Sequence, residues 1–169
     1  EKVRISGGGR CNVTHACWDP RELVLNYPRG EIQLIGAFSR FATGDAVSWF
    51  NKRGLELVAE KDGRMFPKSN RSEDVIKCLH QAAYRAGVIY STEKSVCEIK
   101  NLGEKGFSLT CKDQSTFYSK KVLIATGSSP TGKKLAIALG HHPVTSAPSL
   151  FSFKTDSFWI SSCSGVSLD

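Results

Sequence analysis

The spacing of apolar residues changes its period about halfway along the chain. Before residue 87 the apolar positions repeat mostly at helical spacing, and the clearest stripe runs from Ser72 to Ala86 and ends at Gly87. From residue 88 onward the period is two, which is typical of strands, in the runs 88–90, 96–99, 107–111 and 116–118. The pattern therefore predicts helices first and a small β-meander afterwards.

Three shorter helices are predicted ahead of the long one. Asp19, Pro20 and Glu22 form a typical helix start, with an N-cap, a proline in the first turn and capping-box spacing. Helical spacing also occurs around Phe38, and Thr43 opens a further helix that stops at a glycine. The segments concerned are 19–27, 35–41 and 43–54.

The remaining elements are a hairpin and a buried strand. Residues 55–67 alternate around the turn Asp62–Gly63, which predicts a β-hairpin. Val122–Ala125 is continuously apolar and predicts a parallel strand buried on both faces, followed by a helix over 133–139. Helices covering a parallel sheet define an α/β fold, in which ligands lie beyond the carboxyl ends of the strands.

Three consecutive glycines precede Arg10, Cys11 and Asn12, in the stretch VRISGGGRCN. Peptide N–H groups of a glycine loop can approach an anion closely, and the arginine adds a forked charge. The stretch is not a P-loop, and the dinucleotide fingerprint G-x-G-x-x-G is absent from the chain. The residues alone leave two interpretations open: a site for a phosphate or an electron-rich ring, or a tight turn with a surface arginine.

Composition and charge bear on which partners the protein could bind. The 169 residues carry 23 Lys and Arg against 16 Asp and Glu, for a net charge of +7. The basic residues are spread along the sequence, which disfavours a nucleic-acid partner, although a basic nucleic-acid-binding module stays the alternative function class. No apolar run approaches a membrane span and no signal peptide is visible, so no membrane partner is expected.

The six cysteines show no regular short spacing, which favours reduced, mostly buried thiols in an intracellular protein. Cys11, His15 and Cys17 do not match a common zinc pattern, so no metal site is predicted. The pair His141–His142 follows the last helix and is interpreted as a polar helix end.

The stretch KVRISGGGRCNVTH resembles the signature of the aminoacetone oxidase-like (BaiN/YhiN-type) FAD-dependent oxidoreductases. Three later stretches resemble blocks of that family in the same order: DGRMFPKSNRSEDVIKCL, VLIATGSSPTGKKLAIALGH and APSLFSFK. The resemblance implies a partial Rossmann-like, glutathione-reductase-like FAD-binding domain. It would occupy residues 1–151, and an inserted substrate-side domain would begin over 152–169.

The resemblance also implies a site for FAD. Carried over residue by residue, the signature would line the flavin side of the cofactor with Ser6, Gly7, Gly8, Gly9, Arg10, Cys11 and Asn12. Ala125, Thr126 and Gly127 would approach it from the last strand, and Val96 would contact adenine through its backbone. The reaction would transfer a hydride or electrons through the flavin to or from a small-molecule substrate, with NAD(P)H as a candidate reductant. The resemblance assigns no catalytic residue, no substrate and no oligomeric state.

The sequence departs from the family pattern in ways that affect this expectation. The family's amino-terminal strand–G-x-G-x-x-G–helix unit is missing, and with it the main source of pyrophosphate affinity. His15 replaces the last asparagine of the signature, and GSSPTG is shorter than the corresponding family stretch. We therefore expect this chain to be a fragment that binds FAD weakly, or an inactive degenerate one. It would be cytoplasmic in a bacterium, with the chloroplast as the alternative in a plant.

Overall fold

The computed structural model describes residues 2–145 and residue 156. The chain divides into two compact units, Glu1–Tyr90 and Ser91–Asp169, and each is described by itself. The proposed domain boundary between residues 151 and 152 lies outside the described residues, so it stays a prediction.

The first unit is mostly helical and contains one small sheet. Its elements in chain order are α1 (Lys2–Ile5), a 3-10 turn (Ser6–Gly9), β1 (Thr14–His15), α2 (Pro20–Val24), α3 (Glu31–Phe38), α4 (Thr43–Asn51), β2 (Leu57–Ala59), β3 (Arg64–Pro67) and α5 (Ser72–Arg85). The sheet is antiparallel in the order β1-β3-β2. The predicted helix starts at Asp19 and Thr43, the hairpin and the long helix are confirmed, whereas the helix predicted over 35–41 covers Glu31–Phe38.

Local chemistry explains these boundaries. The Asp19 side chain accepts a hydrogen bond from the backbone N–H of Arg21 at 2.7 Å, which caps α2 at its proline start. The Asp45 carboxylate accepts from the N–H of Ala42 at 2.8 Å at the start of α4. In the hairpin, the N–H of Glu60 donates to the carbonyl of Arg64 at 2.8 Å and closes the turn.

A compact apolar core holds the first unit together. One stripe of α5 packs toward the hairpin, and the end of the signature stretch joins the same cluster. Because such residues are removed from water, they supply most of the favourable free energy of folding. The buried members are Cys11, Phe50, Leu57, Met65, Val75 and Cys78.

The second unit contains a three-stranded antiparallel meander and a helix. Its elements are β4 (Val96–Asn101), a 3-10 turn (Gly103–Lys105), β5 (Phe107–Cys111), β6 (Thr116–Ser119) and α6 (Pro130–Ala138). The strand order is β4-β5-β6, as the period of two predicted. The Ser129 hydroxyl accepts from the N–H of Thr131 and caps α6, which begins three residues earlier than predicted.

Two predicted strands are wrong. Val88–Tyr90 is irregular, and the Ile89 side chain is 89% exposed. Val122–Ala125 also has no regular secondary structure, and Leu123 is 88% exposed. Within residues 2–145 both sheets are antiparallel, so this apolar run lacks the parallel neighbours that would bury it.

The described part of the chain contains no helix that is both long enough and apolar enough to span a bilayer.

Candidate functional site

The glycine stretch forms a left-handed loop at the start of the first unit. Gly7, Gly8 and Gly9 have φ angles of 57°, 65° and 85°, a region that residues with a Cβ adopt at a cost. The N–H of Arg10 donates to the Gly7 carbonyl at 3.3 Å, and the N–H of Cys11 donates to the Ser6 carbonyl at 2.9 Å. Backbone hydrogen bonds thus close the loop and hold its glycines in this conformation.

The three glycines face different surroundings. A Cβ at Gly7 would lie 2.8 Å from the Phe66 ring and 3.0 Å from the Asn12 nitrogen, so this glycine is required for packing. A Cβ at Gly8 or at Gly9 would meet no heavy atom within 4 Å. The backbone there is open to close approach by another molecule, as a flavin-binding loop requires. The residues present therefore fit the group that the resemblance implies.

Arg10 is fixed above the hairpin by two contacts. Its guanidinium lies 3.9 Å from the centroid of the Phe66 ring, and one nitrogen donates to the Glu60 carboxylate at 2.6 Å. Phe66 is 2% exposed, whereas the side chains of Arg10 and Glu60 are 34% and 38% exposed. The guanidinium is therefore oriented in advance while it stays partly accessible to solvent.

Glu60 was not predicted from the sequence, although the structure makes it a partner of the signature arginine. The Glu60 carboxylate also forms an ion pair with the Arg64 guanidinium at 3.6 Å. Arg64 in turn donates to the Asp62 carboxylate at 2.6 Å. The pKa of Asp62 is lowered, first by the backbone hydrogen bond from Arg64 and then by that arginine's side chain, against the opposing effect of desolvation. The only sequence signal for this charged cluster was the hairpin itself, whose register puts these side chains together.

Cys11 and Asn12 end the loop and connect it to the sheet. Cys11 is 6% exposed and belongs to the core, so its thiol packs inside the first unit. In the orientation that satisfies both ends of the Asn12 amide, its nitrogen donates to the carbonyls of Thr14 at 2.9 Å and Met65 at 3.3 Å. The N–H of Val13 donates to Met65 at 2.9 Å as well. The signature is thereby joined to β3.

A cleft of about 450 Å³ adjoins the end of the signature. Its lining comes from the β1 segment, from the helices α2 and α3, and from the start of α4. The residues are Asn12, Val13, Thr14, His15, Leu23, Tyr27, Phe38, Phe41, Ala42, Thr43 and Ala46. None of them is a lysine, arginine, aspartate or glutamate.

The other predicted cofactor residues belong to the second unit. Val96 begins β4 opposite Cys111. Ala125, Thr126 and Gly127 line a cleft of about 440 Å³ at the amino end of α6. A Cβ on Gly132 would lie 1.9 Å from the Thr126 hydroxyl oxygen, so only glycine permits this close approach of helix and loop. Their proximity to the glycine loop stays a prediction.

The cysteines and histidines form no second centre in the part that the structure describes. The described cysteines are free thiols: Cys11, Cys78 and Cys111 are buried, Cys17 is partly buried and Cys97 is exposed. Burial raises the pKa of the Cys78 thiol. His141 and His142 are exposed. Among these residues no group of three or more metal-ligating side chains converges.

Comparison with known proteins finds similarity to a bile-acid reductase and to a ribosomal RNA dihydrouridine synthase. It is 25% identical to 3-dehydro-bile acid delta(4,6)-reductase of Clostridium scindens, over all of this chain and 42% of that protein. It is 26% identical to the ribosomal RNA dihydrouridine synthase of Escherichia coli, over 82% of this chain and 35% of that protein. The enzyme of the same name from Haemophilus influenzae is 24% identical, over 99% of this chain and 44% of that protein.

The chain spans about two fifths of the length of these relatives. The sequence model of the HI0933-like protein Rossmann domain matches residues 1–168, which is nearly the whole chain. The Rossmann-like α/β class predicted from the sequence is thereby confirmed. This protein belongs to the HI0933-like Rossmann-domain family.

Proposed function

We propose that this chain is part of an FAD-dependent oxidoreductase whose glycine loop holds the flavin. The observation that carries the proposal is the loop over Ser6–Asn12, with open backbone at Gly8 and Gly9 beside the oriented guanidinium of Arg10. When bound, a flavin supplies two-electron transfer chemistry. The open glycines would admit its flat ring against the backbone.

Arg10 would stabilise negative charge on the reduced flavin. Its charge is held by Glu60 and by the Phe66 ring, so it does not need to be reorganised when negative charge develops nearby. Because Glu60 neutralises part of that charge, it would moderate the stabilisation that Arg10 gives to an anionic ring. Glu60 therefore acts through Arg10 and is a positioning residue.

The names of the relatives suggest the type of reaction. A delta(4,6)-reductase and a dihydrouridine synthase both add hydrogen to a ring carbon–carbon double bond that is conjugated with a carbonyl group. We propose the same reaction class here. NAD(P)H would supply one hydride, which carries both electrons, and would leave as NAD(P)+. One carbon of the double bond would receive that hydride, and the other would take a proton from a general acid or water.

The test is a titration of the purified chain with FAD, followed by visible absorbance and flavin fluorescence. We expect a saturable perturbation of the flavin spectrum with weak affinity. Arg10→Ala should weaken the affinity about tenfold, which corresponds to about 1.4 kcal/mol.

Arg64→Ala is the matched control for this titration. Arg64 also pairs with Glu60 and lies 5.6 Å from the Phe66 centroid, yet it does not belong to the glycine loop. Its loss should change the affinity for FAD by less than twofold. The absence of any spectral perturbation at high FAD concentration, or an equal effect of both substitutions, would overturn the proposal.

A second candidate places the reducible double bond in a uracil base of RNA. Two relatives are named for ribosomal RNA, and the chain carries a net charge of +7. Binding through phosphates would release counterions and weaken steeply with salt. We expect a uridine-rich single strand to bind at low salt and to dissociate as NaCl is raised, measured by fluorescence anisotropy. Binding that does not respond to salt would contradict this candidate.

A further inference from the structure

We infer that the cleft beside the signature is a binding site for a neutral, planar ring that carries a conjugated carbonyl group. The inference rests on the proposed function and deepens it, because it assigns the position of the substrate ring. Its basis is a juxtaposition of aromatic side chains from α3 and its flanks with the polar residues of β1 and the start of α4.

The apolar side of the cleft is aromatic. Tyr27 and Phe38 form a tilted pair with ring centroids 5.6 Å apart, and Phe41 lies beside them along the chain. Tyr27 and Phe41 are 40% and 55% exposed, although large aromatic side chains ordinarily gain from burial. Exposed aromatic faces at a concave surface are suited to stack against a flat ring.

The cleft lining also contains neutral polar groups. Asn12, Thr14 and Thr43 line it, and Thr43 is 3% exposed at the first turn of α4. The His15 ring contacts the Asp62 carbonyl through Nε2 at 2.9 Å, so that nitrogen is already occupied. A threonine hydroxyl can donate to a ligand carbonyl, and the Asn12 amide oxygen can accept from an imide N–H, since the amide nitrogen already donates to two backbone carbonyls. No lysine, arginine or carboxylate lines the cleft to select a charged ligand.

The position of the cleft connects it to the proposed chemistry. Asn12 belongs both to the signature and to the cleft lining, so a ring bound there lies against the end of the glycine loop. The volume of about 450 Å³ falls within the usual range of small-molecule sites. It admits either a single nucleobase or a fused-ring enone, and these two sources share the same recognition chemistry.

Binding of two probes to the full chain without flavin tests the inference. The probes are uracil and 4-androstene-3,17-dione, measured by saturation-transfer NMR and by titration. We expect saturable binding of at least one, with Phe41→Ala weakening it at least fivefold. The probe that binds identifies the source of the ring. Orotate, a uracil that carries a carboxylate, should bind at least fivefold more weakly than uracil wherever uracil binds.

Tyr84→Ala is the matched control, because Tyr84 is an 82% exposed aromatic residue on α5 that lies outside this cleft. It should leave the affinity within twofold. Failure of both probes to bind, equal effects of the two substitutions, or orotate binding as tight as uracil would overturn the inference. The probe titration contains no flavin, so its result is independent of the FAD titration. If a probe binds but FAD does not, the cleft is supported and the proposed function is contradicted. If FAD binds but neither probe does, the proposed function is supported and the inference about the cleft is contradicted.

Discussion

At the scale of single residues, neighbouring glycines of one loop have different roles. Gly7 is enclosed by Phe66 and by the Asn12 backbone, whereas Gly8 has open space where a side chain would begin. Both have positive φ, so both pay the same backbone penalty on substitution. They therefore form a matched pair that separates packing from backbone strain.

We expect Gly7→Ala to lower the free energy of unfolding by about 3 kcal/mol, and Gly8→Ala by about 1 kcal/mol. Both substitutions strain the left-handed backbone, but only the methyl group at position 7 collides with the Phe66 ring. Urea denaturation followed by circular dichroism measures both changes. Equal losses in the two variants would show that Phe66 yields to the methyl group without cost.

Residue-level chemistry was partly predictable from the sequence. The signature identified Arg10, and the structure shows the residue accessible and oriented. Glu60 could not be identified in the same way, because a carboxylate fifty residues away carries no local signal. Its role follows from the register of the hairpin, which is a property of the folded backbone. The aromatic cleft was missed for the same reason.

At the scale of elements, local signals were reliable where they were self-contained. The cap of α2 at Asp19 and the hairpin turn at Gly63 formed as predicted, because each depends on residues within a few positions. The run Val122–Ala125 failed because a strand buried on both faces needs neighbours that the described residues do not provide. Periodicity alone does not reveal whether such neighbours exist.

Removal of the α2 cap should weaken the first unit. Asp19→Ala leaves the N–H of Arg21 without its carboxylate acceptor and should cost about 1 kcal/mol of unfolding free energy. Asp19→Asn keeps an acceptor oxygen and should cost much less. Thermal melts of the two variants, compared with the parent chain, decide this. A larger loss in the asparagine variant would contradict the capping role.

The meander of the second unit should respond to acid through one carboxylate. The hydrogen bond from Lys94 is the main cause that lowers the pKa of Asp113 far below its ordinary value of 3.8, with further hydrogen bonds from Ser115. A depressed pKa in the folded state contributes stability that is present above pH about 4 and is lost as pH falls through the folded-state pKa.

Asp113→Asn should therefore lower the melting temperature at pH 6 and reduce its fall between pH 4 and pH 2. Because Asp113 is exposed, we expect a small effect that high salt diminishes. Calorimetric melts across this pH range, at low and high NaCl, provide the measurement. An unchanged acid response in the variant would assign the loss of stability to other carboxylates.

At the scale of the whole molecule, the chain folds as two units joined near Tyr90. Residues 88–95 carry no helix or strand, and Tyr90 is 56% exposed. Tyr84 is more exposed, at 82%, but it lies within α5, whose backbone hydrogen bonds resist entry into a protease site. Exposure alone therefore favours cleavage at Tyr84, whereas the lack of regular backbone structure favours cleavage at Tyr90.

Limited digestion with chymotrypsin should cut after Tyr90 before it cuts after Tyr84. The amino-terminal product should keep the helical circular dichroism signal, because the core of the first unit draws on residues up to Cys78. Tyr90→Ser should slow the first cut at least fivefold, as judged by mass spectrometry. An early cut at Tyr84 would show that α5 frays in solution.

The joining of β1 to β3 has a consequence for the order in which the molecule assembles. Thr14 pairs with Met65, and Arg10 reaches Glu60 across fifty positions of chain. Closing so long a loop costs entropy before any contact repays it, so these contacts contribute to slow folding. The glycine loop thus acquires its geometry only after the hairpin has docked. A nascent chain would therefore be unable to hold the proposed flavin until β3 has emerged from the ribosome.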